Sequence, residues 1–148
     1  DRDRCGGVDR RRAIRSLGAG MLGLTLMPIV TATPSIVAVD VWKSPTCGCC
    51  GDWVEHLQAN GFRVQVHDTG NNAARARMKI PVELGSCHTA RAGGYAIEGH
   101  VPAREIRRLL AERPRATGLV LPGMPIGSPG MEQGSTRTPY DVLLLRVD

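Results

Sequence analysis

The chain has 148 residues, enough for one domain with its own hydrophobic core. Only five residues are aromatic, so that core must be built mainly from Val, Leu, Ile and Ala. The net charge of +5 gathers at the N-terminus: residues 1–32 carry six arginines against three aspartates, leaving 13 basic and 11 acidic residues beyond. No basic stripe with interleaved aromatics remains there, which argues against a nucleic-acid partner.

The first residues read as an export signal. Arg10-Arg11-Arg12-Ala13-Ile14-Arg15 is a basic n-region, and Leu17 to Val30 is an uncharged apolar stretch. Val30-Thr31-Ala32 offers small residues for cleavage after Ala32. The apolar stretch of 14 residues falls short of the roughly 20 needed to span a bilayer, so no stable membrane span is expected after cleavage. The arginine run is similar to a twin-arginine signal, without the usual Ser/Thr before the pair or Phe after it; an uncleaved anchor is the alternative. Residues 1–32 are thus read as signal peptide and 33–148 as the folded domain. Cys5 would be lost with the signal, leaving four cysteines in an oxidising periplasm, where thiols must be paired, metal-bound or cycled.

Ile36 to Trp42 is β-branched and nearly continuous, the pattern of a central strand buried on both faces. Next comes Thr46-Cys47-Gly48-Cys49-Cys50-Gly51. Cys47 and Cys50 have the Cys-x-x-Cys spacing of a thioredoxin-like redox centre. Cys49 is one thiol more than dithiol chemistry needs, and soft ligands crowded on one turn point to a thiophilic metal, Cu(I) first and Zn second. A plain redox dithiol beside an incidental cysteine is the competing reading.

Trp53, Val54 and Leu57 continue as one helical face, and Asn60-Gly61 is a helix stop. Residues 62–67 alternate strictly and read as a second strand, completing a right-handed βαβ unit. Asn71 is placed to cap a short helix through Met78, which Pro81 ends. Cys87 to Ala92, Gly93-Gly94 and Tyr95 to Glu98 form a hairpin pattern. Pro102 opens a third helix, with Ile106, Leu109 and Leu110 at helical spacing to Glu112. The order is β-α-β-α-β-β-α, the thioredoxin order. Residues 118–139 read as a Gly/Pro/Met-rich loop and residues 140–147 as one extra strand. In this topology the first strand ends at the cysteine turn, the third begins at that edge with Cys87 and His88, and the fourth returns to it at His100.

Four segments resemble the CopG-type periplasmic copper-resistance proteins: Thr46 to Cys50, Pro81 to Ala90, Gly94 to Ala103 and Gly123 to Glu132. The resemblance runs from about Val37 to Met131 in the family's order. It implies a thioredoxin-like α/β fold, Cu(I) bound by cysteines, and a role in copper redox chemistry.

Residue by residue, Cys47, Cys49 and Cys50 open a helix, where unpaired N–H groups favour thiolates, and Cys87 supplies a fourth sulfur. His88 is an imidazole candidate, although neighbours on a regular strand face opposite ways, so only an irregular strand start admits both Cys87 and His88. His100 is a ligand or supporting group. His67 lacks a supporting motif, and His56 is expected to be solvated. Met124 and Met131 are thioether candidates that suit Cu(I); loop packing is the plainer role for both.

The sequence therefore predicts a periplasmic Cu(I)-binding protein, with more than one ion bridged by cysteines and with Zn as the lesser alternative. Electron exchange through Cys47 and Cys50, and other periplasmic copper-handling proteins as partners, extend that reading. A metal-free thiol–disulfide oxidoreductase using the same two cysteines is the rival.

Overall fold

The computed structural model describes residues 36–147. The expected export signal, its cleavage site and Cys5 lie outside the described residues. Within them, Ala38–Lys43 forms β1, Gly48–Ala59 α1, Arg63–His67 β2, Asn72–Arg77 α2, His88–Ala92 β3, Tyr95–Glu98 β4, Ala103–Glu112 α3, Ala116–Val120 β5 and Leu143–Arg146 β6. A 3₁₀ turn spans Val82–Leu84. The strands form one six-stranded sheet in the order β2-β1-β3-β4-β5-β6. β1 runs parallel to β2 and antiparallel to β3, β3 and β4 form the hairpin, β5 joins parallel to β4, and β6 pairs antiparallel with β5.

Side-chain period explains which face each element covers. In α1 the buried residues are Cys50, Trp53, Val54 and Leu57, one stripe at i, i+3, i+4 and i+7. That stripe packs with Val39 and Val41 of β1, Ala90 and Ala92 of β3, Ile97 of β4, and Ile106 and Leu109 of α3. The opposite sheet face holds a smaller cluster of Ile80, Ala96 and Val120, with Met78 and Leu84 against it. β1 is central, as its sequence predicts, but it is not buried on both faces. Val39, Val41 and Lys43 are buried, while Asp40 and Trp42 between them are only half-buried. The short α2 and the 3₁₀ turn cover too little of that second face, where Arg77 stacks over Trp42 instead.

Two expectations need correction. The region read as a loop from residue 118 begins with a strand, Ala116–Val120, so the sheet gains two strands beyond the hairpin. Gly118 masked it: a Cβ there would strike the Ala96 backbone of the neighbouring strand, so close strand approach, not a turn, requires this glycine. Asn71 is the residue before α2 but makes no side-chain cap bond. Its amide donates instead to the Ser86 carbonyl and to Thr89 Oγ1, at 3.1 and 3.3 Å. The hairpin turn is as predicted, with Gly93 and Gly94 both at positive φ, 54° and 91°.

The candidate metal centre

Sheet register brings the chemistry together. Lys43, the last residue of β1, pairs with His88, the first of β3. Thr89 pairs with Glu98, so β4 returns to the same end and delivers His100 two residues later. α1 starts five residues after β1, with Cys47 as its N-cap. The chain positions 47–50, 87–88 and 100 thus converge at one end of the sheet.

Cys47, Cys49, Cys50 and Cys87 place their four sulfurs within 4.8 Å of one another. Cys87, His88 and His100 form a second such group, sharing Cys87 with the first. Cys47 and Cys50 are joined as a disulfide, while Cys49 and Cys87 are free thiols among the described residues. Cys49 Sγ stands 3.6 Å from Cys47 Sγ, and Cys50 Sγ lies 3.7 Å from the Cys87 carbonyl. Cys87 Sγ is 3.0 Å from His100 Nε2 and 3.4 Å from His88 Nδ1.

Cys87 and His88 reach the same place because Cys87 precedes the regular strand. β3 starts at His88, and Cys87 sits on a bend after the 3₁₀ turn. This is the irregular strand start that alternation alone would forbid. Both imidazoles are fully buried. His100 Nδ1–H donates to the Pro129 carbonyl at 2.8 Å, which leaves Nε2 as the lone-pair nitrogen facing Cys87. His88 tilts over the Trp53 ring with centroids 4.2 Å apart, and among the described residues its Nε2 has no hydrogen-bond partner. Burial, with His100 adding to it, pushes the His88 pKa down to about 3. Burial likewise lowers that of His100. Burial, reinforced by Cys49, pushes the Cys87 thiol up to about 12. At neutral pH the site therefore holds a protonated thiol against neutral imidazoles, and a metal ion would displace the thiol proton.

The donor set fits a soft metal ion. With metal–sulfur and metal–nitrogen bonds of about 2.3 and 2.0 Å, ligand atoms on one ion stand about 3.5–3.8 Å apart. The Cys47–Cys49 and Cys87–His88 separations already lie near that span, and the Cys87–His100 pair needs to open by about half an ångström.

The two methionines sit in the loop that follows β5. Met124 is 52% exposed, and Met131 is half-buried. Their loop does reach the site: Ser86 Oγ donates to the Gly123 carbonyl at 2.7 Å, and Gly130 packs so closely on α1 that a Cβ would fall 2.6 Å from the Cys49 carbonyl. His67 stays apart, stacked on Trp42 and paired with Asp40. His56 is not simply solvated, because its Nε2 accepts the Ala103 N–H at 3.1 Å and so caps the start of α3.

A group with no motif of its own holds the Cys87 segment. Glu98 is fully buried in β4, and its Oε1 accepts the Ser86 N–H at 2.7 Å and Arg75 Nε at 2.9 Å. Its Oε2 accepts the Thr89 hydroxyl at 2.6 Å. Arg75 also donates to the Ser86 carbonyl. One carboxylate thus fixes the peptide on the N-terminal side of Cys87. Sequence reading passes over Glu98 because its partners lie 9 to 23 residues away, beyond any local period.

Residues 84–131 match a family model described as "Protein of unknown function, DUF411". Among curated proteins none matches the chain. Among solved structures, "Copper resistance protein copG- Form 2" is similar over 76% of this chain and 90% of that one, at 44% identity and a TM-score of 0.71. The chain belongs to the CopG copper-resistance family. "Copper resistance protein copG- Form 1" matches equally, at 45% identity over the same shares and with the same TM-score. The stretch matched by the family model holds Cys87, His88, His100 and both loop methionines, whereas the cysteine turn of this CopG-family chain precedes it.

Proposed function

We propose that this chain is an exported Cu(I)-binding protein of copper resistance, built on a thioredoxin-like frame. The observation that carries the reading is the convergence of four sulfurs from two distant segments within 4.8 Å. Thiolates bridge soft ions readily, and four converging sulfurs with two imidazoles beside them offer more donors than the roughly two or three that one Cu(I) uses. The reduced protein therefore holds more than one Cu(I), with His88, His100, Met124 and Met131 as terminal or supporting ligands. Zn suits the sulfurs but not the thioethers, and ranks second. Sheet order and the cysteine turn at the first helix support the thioredoxin-like assignment. The charged n-region and short apolar stretch support export to the periplasm, with a mature chain starting near Thr33; among the described residues no helix is long and apolar enough to cross a membrane. Delivery to or from other periplasmic copper-handling proteins completes the role.

Anaerobic titration of the reduced protein tests the central claim. More than one Cu(I) per chain, with short copper–copper contacts in X-ray absorption, is the expected result. Saturation at one ion without metal–metal scattering would refute the bridging argument, and preference for Zn over Cu(I) in competition would replace the metal. Mass spectrometry of periplasmic material tests export: an uncleaved chain retained in membranes overturns it.

The Cys47–Cys50 disulfide specifically favours a second reading, thiol–disulfide oxidoreduction without metal. Rapid glutathione-disulfide turnover in a protein that takes up no copper would establish it. The two readings meet if copper reduces the disulfide: two Cu(I) ions then become Cu(II) as one disulfide becomes two thiolates, so electrons balance at two ions per bridge.

A further inference from the structure

The two donor groups overlap at Cys87 but respond differently to oxidation. The Cys47–Cys50 bridge removes two of the four sulfurs from the first group. It removes nothing from the second, which uses Cys87, His88 and His100. We infer that the disulfide form retains a separate mononuclear copper site made of the Cys87 thiolate and the His88 and His100 imidazoles, so that oxidation lowers the capacity of the protein without emptying it. This inference rests on the copper reading of the site.

Three observations carry it. The Cys87 sulfur faces both imidazoles directly, at 3.0 and 3.4 Å. The His100 ring is locked by the Pro129 carbonyl in the tautomer that turns its lone pair toward that sulfur, the second-sphere arrangement of a metal-bound histidine. The His88 ring is fully buried against Trp53, which holds its Nδ1 edge toward the same sulfur. Each of these features exists with the disulfide closed. One thiolate and two imidazoles suit a copper ion in trigonal coordination, and Trp53 and the Pro129 carbonyl hold the two rings in place. A site of this kind gives an exported protein a use in an oxidising compartment, where the bridge is the expected state.

The test uses the full chain carrying Cys5→Ser, with the bridge closed and two free thiols verified by thiol counting. It is titrated anaerobically with Cu(I) supplied as its acetonitrile complex, in competition with a chelator, beside the reduced protein. One Cu(I) per oxidised chain is expected, against more than one per reduced chain. X-ray absorption of the oxidised, loaded protein should show imidazole scattering and one sulfur; sulfur scattering alone overturns the assignment and needs no variant. Cys87→Ser or His100→Ala should weaken the oxidised-form affinity by about 10-fold or more, whereas Cys49→Ser should leave it unchanged. Loss in Cys49→Ser would assign the ion to a Cys49–Cys87 pair and overturn the inference. Uptake by the reduced protein alone overturns it while leaving the proposed function standing. Uptake by neither form overturns both.

Discussion

Cys87 lies 3.0 Å from one buried imidazole and 3.4 Å from another, and its sulfur is within 4.8 Å of the three cysteine sulfurs at the start of α1. It comes from a segment 37 residues beyond Cys50, so a metal ion held by both segments would staple β3 to α1. Cys87→Ser should therefore weaken Cu(I) binding by the reduced protein by at least about 10-fold and leave the metal-free fold intact, since a serine hydroxyl can still donate to His100 Nε2. Unchanged copper retention against a chelator would remove Cys87 from the centre. A second single-residue constraint is Gly130. It sits at φ 81°, and a Cβ there would meet the Cys49 carbonyl at 2.6 Å and the Trp53 nitrogen at 2.8 Å. Gly130→Ala should cost about 1–3 kcal/mol from backbone conformation alone, and the steric clash should lift the loop from α1. Denaturant unfolding measures the first effect; an unaltered midpoint would mean that the loop yields freely and does not cover the thiols.

At the level of elements, the hairpin β3–β4 and helix α2 act through Glu98. Its carboxylate ties the Ser86 peptide to Arg75 of α2, with an ion-pair separation of 2.8 Å and Glu98 fully buried. Burial raises the Glu98 pKa, while the Thr89, Ser86 and Arg75 contacts oppose that shift. Glu98→Gln replaces one accepting oxygen by an NH2 group among the donors of Arg75, Ser86 and Thr89, so it should cost about 1–3 kcal/mol for each group left unsatisfied and also free the Cys87 segment. The second effect is read under native conditions as faster alkylation of Cys87, with peptide mapping to separate it from Cys49. Stability loss without faster alkylation would make Glu98 a fold residue only. Trp53 serves similarly from α1: its indole N–H donates to the Val101 carbonyl at 2.9 Å while its ring supports His88. The helix and the segment between β4 and α3 are thereby fixed to each other beneath the imidazoles.

For the whole molecule, the buried histidines set a pH limit. The folded pKa of His88 is pushed to about 3 from an ordinary 6.5, so between those values the unfolded chain binds a proton that the folded chain refuses. The stability linked to His88 is present above pH 6.5 and is lost as pH falls, at up to about 1.4 kcal/mol per pH unit. His100 and His56, both lowered by burial, act in the same sense. Glu98 acts oppositely, because its raised pKa gives stability below 4.5 that fades as pH rises. The difference between the native chain and His88→Phe isolates the histidine: from pH 7 to 5.5 the metal-free native chain should lose more stability than the variant. Parallel curves would show that His88 titrates normally in the folded state. At this scale the division between sequence and structure is a matter of range. The amino-acid sequence by itself determined the elements up to α3, the cysteine turn and the edge at which Cys87 and His100 meet it, because periodicity, glycine turns and strand direction are short-range rules. It also marked the family through four separated motifs. Tertiary structure alone decided that Cys87 and His88 face one place, through an irregular strand start, and that His56 caps a helix it does not belong to. It alone revealed β5, whose Gly118 is demanded by a neighbouring strand, and the Glu98 carboxylate, which is buried only because α2 and the bend before β3 close over it. These features depend on which distant groups desolvate one another, and no local pattern encodes that.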